Sequence, residues 1–113
     1  MLLAPIATSG NNVYVVWPSN KTGQFEIMFR ASTDGGRTFG NKIMLSSSLP
    51  GVDSLDPQIA ANGNRVYITW WQNYRNGGTK EPVFIFSEDN GRTFGKIIRL
   101  SNITSDNTIG SAS

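Results

Sequence analysis

The sequence predicts an all-β chain built from two copies of one four-stranded antiparallel unit, and three observations lead there. Short Val, Ile, Tyr and Trp runs alternate with turn-rich stretches, the 113 residues including twelve Gly and five Pro with abundant Asn, Ser and Thr. No stretch sustains a helical period. Most decisively, the two halves of the chain can be written over one another, the signature of a repeat architecture.

The duplication is clearest at Ser32-Thr33-Asp34-Gly35-Gly36-Arg37-Thr38-Phe39-Gly40, which returns as Ser87-Glu88-Asp89-Asn90-Gly91-Arg92-Thr93-Phe94-Gly95 at an offset of 55. Upstream, Ile6-Ala7 lies over Ile59-Ala60 and Gly10 to Trp17 over Gly63 to Trp70, at an offset of 53. Two residues are thus inserted between Trp70 and Ser87, in the loop-like stretch from Gln72 to Gly78. Downstream, Ile43-Met44-Leu45-Ser46 returns as Ile98-Arg99-Leu100-Ser101.

Each copy reads as four strands in order. The first is about Ile6 to Thr8, with Gln58 to Ala61 in the second copy. The second strand runs from Val13 to Trp17 and from Val66 to Trp71. It alternates, Val13, Val15 and Trp17 on one face and Tyr14 and Val16 on the other, yet both faces are largely apolar. A sheet covered on both sides is implied, as when blades stack around a ring. The third strand is about Glu26 to Ser32 and Val83 to Ser87; the fourth is Lys42 to Leu45 and Ile97 to Leu100.

The link between third and fourth strands carries the pattern Ser/Thr-x-Asp-x-Gly-x-Thr-Phe/Trp twice in full, through Ser32, Asp34, Gly36, Thr38 and Phe39 and through Ser87, Asp89, Gly91, Thr93 and Phe94. It resembles the Asp-box, or BNR repeat, of sialidase-like β-propellers. Locally, each Asp can accept backbone N–H bonds as in an Asx-turn, each Gly can supply positive φ, and each Phe can cover the turn from inside the blade. The resemblance implies a fold-stabilising hairpin on the face away from any active site, so Asp34 and Asp89 are not taken as calcium ligands or catalytic acids. Residues 1–53 form one expected blade, with its box at 32–39, and 54–113 the other, with its box at 87–94 and a linker to the next blade.

Propellers close with about four to eight blades, and two alone leave open faces and edges. Ser111-Ala112-Ser113 fall opposite Asp56-Pro57-Gln58, and so do Leu3-Ala4-Pro5, which makes the chain a whole number of repeats. A unit of that kind can associate head to tail into a ring. Three copies supply the six blades usual for sialidase-like propellers and four supply eight; a homotrimer is the expectation, and an excised piece of a longer propeller is the alternative.

Composition excludes several functions. Ten basic and eight acidic residues are scattered, without a run suited to nucleic acid or a membrane, despite a pI of 9.2. With neither Cys nor His, there is no thiol chemistry and the commonest general base and zinc ligand is missing. No cofactor or metal is expected. The Met1 to Ala7 start is too short for a signal-peptide core. Asn20-Lys21-Thr22 and Asn102-Ile103-Thr104 fit the glycosylation sequon, which in a chain this rich in Asn, Ser and Thr reads first as coincidence; with the lack of Cys and the habitat the resemblance implies, they tilt the parent protein slightly toward the extracellular side or cell surface.

Ligand contacts are expected on the loops opposite the Asp-boxes: Pro18 to Gln24, Gln72 to Glu81, Ser47 to Asp56 and Asn102 to Ala112. Trp17, Trp70, Trp71 and Tyr74 lie near this rim beside Asn20, Lys21, Asn73 and Arg75, a mix of flat rings and donors that suits a sugar. Trp17 and Trp70, equivalently placed, read as inter-blade core before ligand contacts, whereas Trp71 and Tyr74, with no aromatic counterpart in the first blade, read equally as either. The resemblance also implies the sialidase arginine triad, a Tyr/Glu nucleophile pair and an Asp acid/base. Those residues do not carry over, since Leu2 to Ile6 and Leu55 to Ile59, where the first triad arginine belongs, contain none. Arg30, Arg75 or Arg99 could form a symmetric basic collar, and Asp53 and Asp56 could form a carboxylate pair. A non-catalytic, self-assembling scaffold therefore ranks first, a carbohydrate-binding lectin-like propeller second and a glycosidase fragment third.

Overall fold

A computed structural model describes residues 2–101. The second sequon and the stretch from Asn102 to Ala112 lie outside the described residues, as does the terminal Ser111-Ala112-Ser113. Strands β1 (Ile6–Ser9), β2 (Asn12–Ser19), β3 (Glu26–Ser32) and β4 (Ile43–Met44) form one antiparallel meander in the order β1-β2-β3-β4. Strands β5 (Val52–Asn62), β6 (Arg65–Tyr74), β7 (Glu81–Ser87) and β8 (Ile98–Arg99) form the second, in the order β5-β6-β7-β8. Each first hairpin closes on a Gly-Asn pair, Gly10 and Gly63 both standing at φ 61°, where a side chain would be strained.

The strands depart from the sequence expectation at the rim. Val52 to Leu55, expected as loop, belongs to β5, and β6 continues through Tyr74. Asp56-Pro57 reads as a strand breaker, but here it sits at a bulge between Leu55 and Gln58, with Asp56 in the left-handed region at φ 56°. A bulge is where a strand tolerates proline's missing N–H. Asp53 and Asp56 are consequently strand residues. At the other edge β4 and β8 shrink to two residues, although Leu45 N–H still donates to Ile27 O at 2.8 Å and Leu100 N–H to Pro82 O at 3.1 Å.

Alternation then sets the packing. Tyr14, Val16, Ile27 and Phe29 of the first sheet join Val66, Ile68, Trp70, Val83 and Ile85 of the second in one buried cluster. These are not equivalent faces. Tyr14 and Phe29 correspond to Tyr67 and Phe84, which lie on the other side of the second sheet; the sheets pack front to back, like successive members of a stack. The opposite faces are half-covered. Val13, Val15 and Trp17 are half-buried with Ile6 62 % exposed, while Tyr67, Phe84 and Phe86 stack on one another at 5.8–6.2 Å beside an exposed Trp71.

The β3–β4 and β7–β8 hairpins share one hydrogen-bond set. Ser32 Oγ donates to Asp34 Oδ1 (2.7 Å) and accepts the N–H groups of Asp34 (3.3 Å) and Gly36 (2.9 Å). Asp34 in turn accepts Thr38 N–H (2.9 Å) and Thr38 Oγ1 (2.6 Å). Ser87, Asp89, Gly91 and Thr93 repeat all five bonds. The bonds from Thr38 and Ser32 hold the Asp34 carboxyl at about 2, and those from Thr93 and Ser87 do the same for Asp89. Phe94 does more than cover its own turn: its ring meets Phe29 of the first sheet edge-on at 5.0 Å.

Ser87 is 1 % exposed, so Ser87→Ala strands two backbone N–H groups and should cost about 1–3 kcal/mol in a urea melt. Both aspartates titrate below their unfolded value of 3.8. Their stabilisation is therefore complete above 3.8 and is lost as pH falls through about 2. Asp34→Asn/Asp89→Asn should be less stable at neutral pH and should flatten the acid arm of the stability profile.

Candidate functional site

At the end away from the hairpins, the two sheets are stitched by polar bonds around Asp53 on β5. Its Oδ1 accepts Phe25 N–H (2.8 Å) and Arg75 Nη2 (2.9 Å), and its Oδ2 accepts Arg75 Nε (2.9 Å). Arg75 Nη2 also reaches Gly23 O at 3.1 Å, and Ser54 N–H donates to Phe25 O at 2.8 Å. The Arg75 guanidinium beside it holds the Asp53 carboxyl below the usual range. Gln24 continues the seam, donating to Leu49 O (2.6 Å) and Glu26 Oε2 (3.1 Å) and accepting Gly51 N–H (3.2 Å).

A second polar cluster recurs once per sheet. Glu26, 1 % exposed, accepts Ser46 Oγ at 2.5 Å, and Ser46 Oγ accepts Ile27 N–H at 3.0 Å. Its counterpart Glu81 accepts Ser101 Oγ (3.2 Å), Arg99 Nε (3.1 Å) and Nη2 (2.9 Å), and the Tyr74 hydroxyl. Sequence reasoning missed this pair, although Glu26 and Glu81 stand at the same offset as the hairpin motifs, as do Ser46 and Ser101. Burial pushes the Glu81 carboxyl up, but the bonds from Tyr74 and Arg99 outweigh it and leave it below the usual range. The same carboxylate pushes the Tyr74 phenol up, keeping it a donor rather than a nucleophile.

A cleft of about 360 Å³ opens here, lined by Tyr74, Lys80, Glu81, Arg99 and Ser101 among others. Its chemistry is limited by its own bonds. A carboxylate doubly bonded to a guanidinium is a weak base, and the Arg99 donors that grip Glu81 are not aimed at a substrate.

The six ligand-binding candidates do not converge on one surface. Trp70 is 1 % exposed in the inter-sheet core, its Nε1 without a partner among the described residues. Trp17 is half-buried on the open face of the first sheet. Trp71, 43 % exposed, lies on the open face of the second, where the first sheet has the buried Pro18. Tyr74 serves Glu81, Arg75 serves Asp53, and Asn20 sits in the exposed β2–β3 link, its carbonyl accepting Gly23 N–H at 3.0 Å. Arg30 bonds Gly40 O (2.7 Å) and Phe39 O (3.3 Å), so Arg30, Arg75 and Arg99 all have acceptors within the chain. Among the described residues no group of three or more Asp or Glu could hold a metal ion, and no helix is long and apolar enough to cross a membrane.

Two four-stranded meanders packed front to back have the architecture of successive β-propeller blades. The likeness extends to a solved structure, the Trypanosoma rangeli sialidase in complex with sialic acid, with a TM-score of 0.66 and 18 % identity over 86 % of this chain. The fold is thus sialidase-like, and the chain spans 20 % of that enzyme's length. No protein-family model matches the chain, and no curated protein matches it.

Asp53→Ala should cost more than Arg75→Ala in thermal and urea melts, about 1–3 kcal/mol against under about 1 kcal/mol. The first change strands Phe25 N–H, whereas the second removes a half-exposed ion pair. Equal losses would show that the seam gains nothing from the Phe25 bond.

Proposed function

We propose that the chain is a non-catalytic structural module: two Asp-box blades of a sialidase-like β-propeller that associate head to tail with further copies of the same chain, three copies forming a six-bladed homotrimer. The observation that carries this is the front-to-back packing. The face that the first sheet buries, bearing Tyr14 and Phe29, is the face that the second leaves open as Tyr67 and Phe84. A second copy offers the matching surface, since its first sheet leaves open Val13, Val15 and Trp17, the counterparts of Val66, Ile68 and Trp70. Repetition of one heterologous contact closes a ring when the rotation per blade divides the circle.

The non-catalytic part rests on the rim, where Asp53, Arg75, Tyr74, Glu81 and Arg99 are bound to one another or to backbone. Trp71, the most exposed of the candidate sugar-stacking rings, lies on a face that ring closure covers, which favours the scaffold over the lectin-like reading. Light scattering of the purified chain should return about three times 12.4 kDa, and a fluorogenic sialoside should not be hydrolysed. A concentration-independent 12.4 kDa species would overturn self-assembly, and sialoside turnover lost in Tyr74→Phe would overturn the non-catalytic assignment.

A further inference from the structure

We infer that Arg30 is the recognition residue of the seam between copies, its guanidinium lying against the stacked rings of Tyr67, Phe84 and Phe86 of the preceding copy. This rests on the self-assembly proposed above and specifies what makes that contact differ from the seam inside the chain. The internal seam is aliphatic where the two sheets carry Ala31 and Ile85. At the equivalent positions the open faces carry Phe86 and Arg30. The exchange is paired: one face gains a ring and the other a planar cation. Register places them at one level, because Arg30 lies opposite Val15, while Phe86 and Phe84 lie opposite Tyr67 and Thr69, the counterparts of Tyr14 and Val16 on either side of Val15.

Arg30 is held ready for such a contact. Its Nε and Nη2 donate in the guanidinium plane to Gly40 O and Phe39 O, which fixes the group on its own sheet and leaves the flat face to stack on a ring. The neighbouring hairpin backbone is uncovered at the corresponding glycine. At Gly91, an added Cβ would lie 2.7 Å from the Phe29 ring, which approaches the hairpin backbone closely and meets Phe94. At the equivalent Gly36, a Cβ would find only Val13 Cγ2, at 3.9 Å. Phe84 of the preceding copy, the counterpart of Phe29, fills that place over Gly36 and beside Phe39, whose carbonyl Arg30 holds.

The test is the association constant of the full-length chain by sedimentation equilibrium, with circular dichroism melts to confirm the fold. Arg30→Ala should weaken association about 2- to 30-fold per seam, the range expected for a cation over an aromatic face. Arg30→Glu should weaken it further. Phe86→Ala installs the residue that the first sheet carries at that position, and, with the fold checked by the melts, its effect in a double-mutant cycle should overlap that of Arg30→Ala. Arg30→Ile/Phe86→Ala reproduces the aliphatic pair of the internal seam and should recover association. If wild type forms rings and Arg30→Glu associates equally well, or the two alanine effects simply add, this inference is overturned while the ring survives. If wild type stays at 12.4 kDa, the ring fails and this inference with it.

Discussion

A β-sheet with apolar residues on both faces has to be covered twice, and both sheets of this chain are of that kind. One face of each is satisfied by the other sheet, in a cluster running from Tyr14 and Phe29 to Trp70 and Ile85. At roughly 1.5–3 kcal/mol for each fully buried large apolar side chain, that cluster is the main source of tertiary stability. Because the sheets stack front to back, satisfying one face of each leaves two different faces over, and those two carry the repeat counterparts of the residues buried between the sheets. Among the described residues, the polar bonds named above either hold the individual sheets in shape or hold this seam in register.

The polar groups fall into those two roles. The Ser-Asp-Thr hairpins lock one end of each sheet with five bonds apiece, and the Glu-Ser pairs lock the other end from inside. Both devices recur at an offset of 55, so each belongs to the repeating unit rather than to a single functional site. Among the described residues the Asp53-Arg75 cluster occurs once, where the chain passes from one sheet to the next and ties Phe25 and Gly23 to β5. Buried polar groups are tolerated when they are bonded, and here the bonds run mainly within or between adjacent strands.

The repeat, the strand order and the hairpins were legible because they depend on local chemistry: a period, alternating apolar residues, and Ser, Asp, Gly and Thr at fixed spacing. Trp70 as inter-sheet core was legible for the same reason, since its place on an alternating strand set its face. The rim was not. Asp56-Pro57 carries a loop signature, and only pairing with Trp71 and Thr69 on the neighbouring strand shows that the chain passes through it as a bulge. Tyr74 and Arg75 are adjacent in sequence and look like a single binding edge, yet one turns to Glu81 and the other to Asp53. Those choices follow from where two other strands end, which no local window contains. Glu26 is the instructive miss: a glutamate opening a strand reads as solvated, and its burial becomes intelligible only once Ser46 returns beside it.

The exposed arginines show why charge at a propeller rim is weak support for a ligand. A guanidinium is a fork of donors in one plane, and a meander end offers backbone carbonyls and carboxylates in just such arrays. Arg99 and Arg75 take carboxylates bidentately, and Arg30 takes two carbonyls of its own sheet. The first two lose most of their capacity for a substrate anion, because their attraction is already balanced. Arg30 does not, since carbonyls leave its charge uncompensated. In the ring proposed above, a cation so placed, on a largely apolar sheet face, would lie at the level where the facing copy is most aromatic. The same residue that would look like a binding-site arginine in an enzyme would, in that proposed ring, help to choose its neighbour.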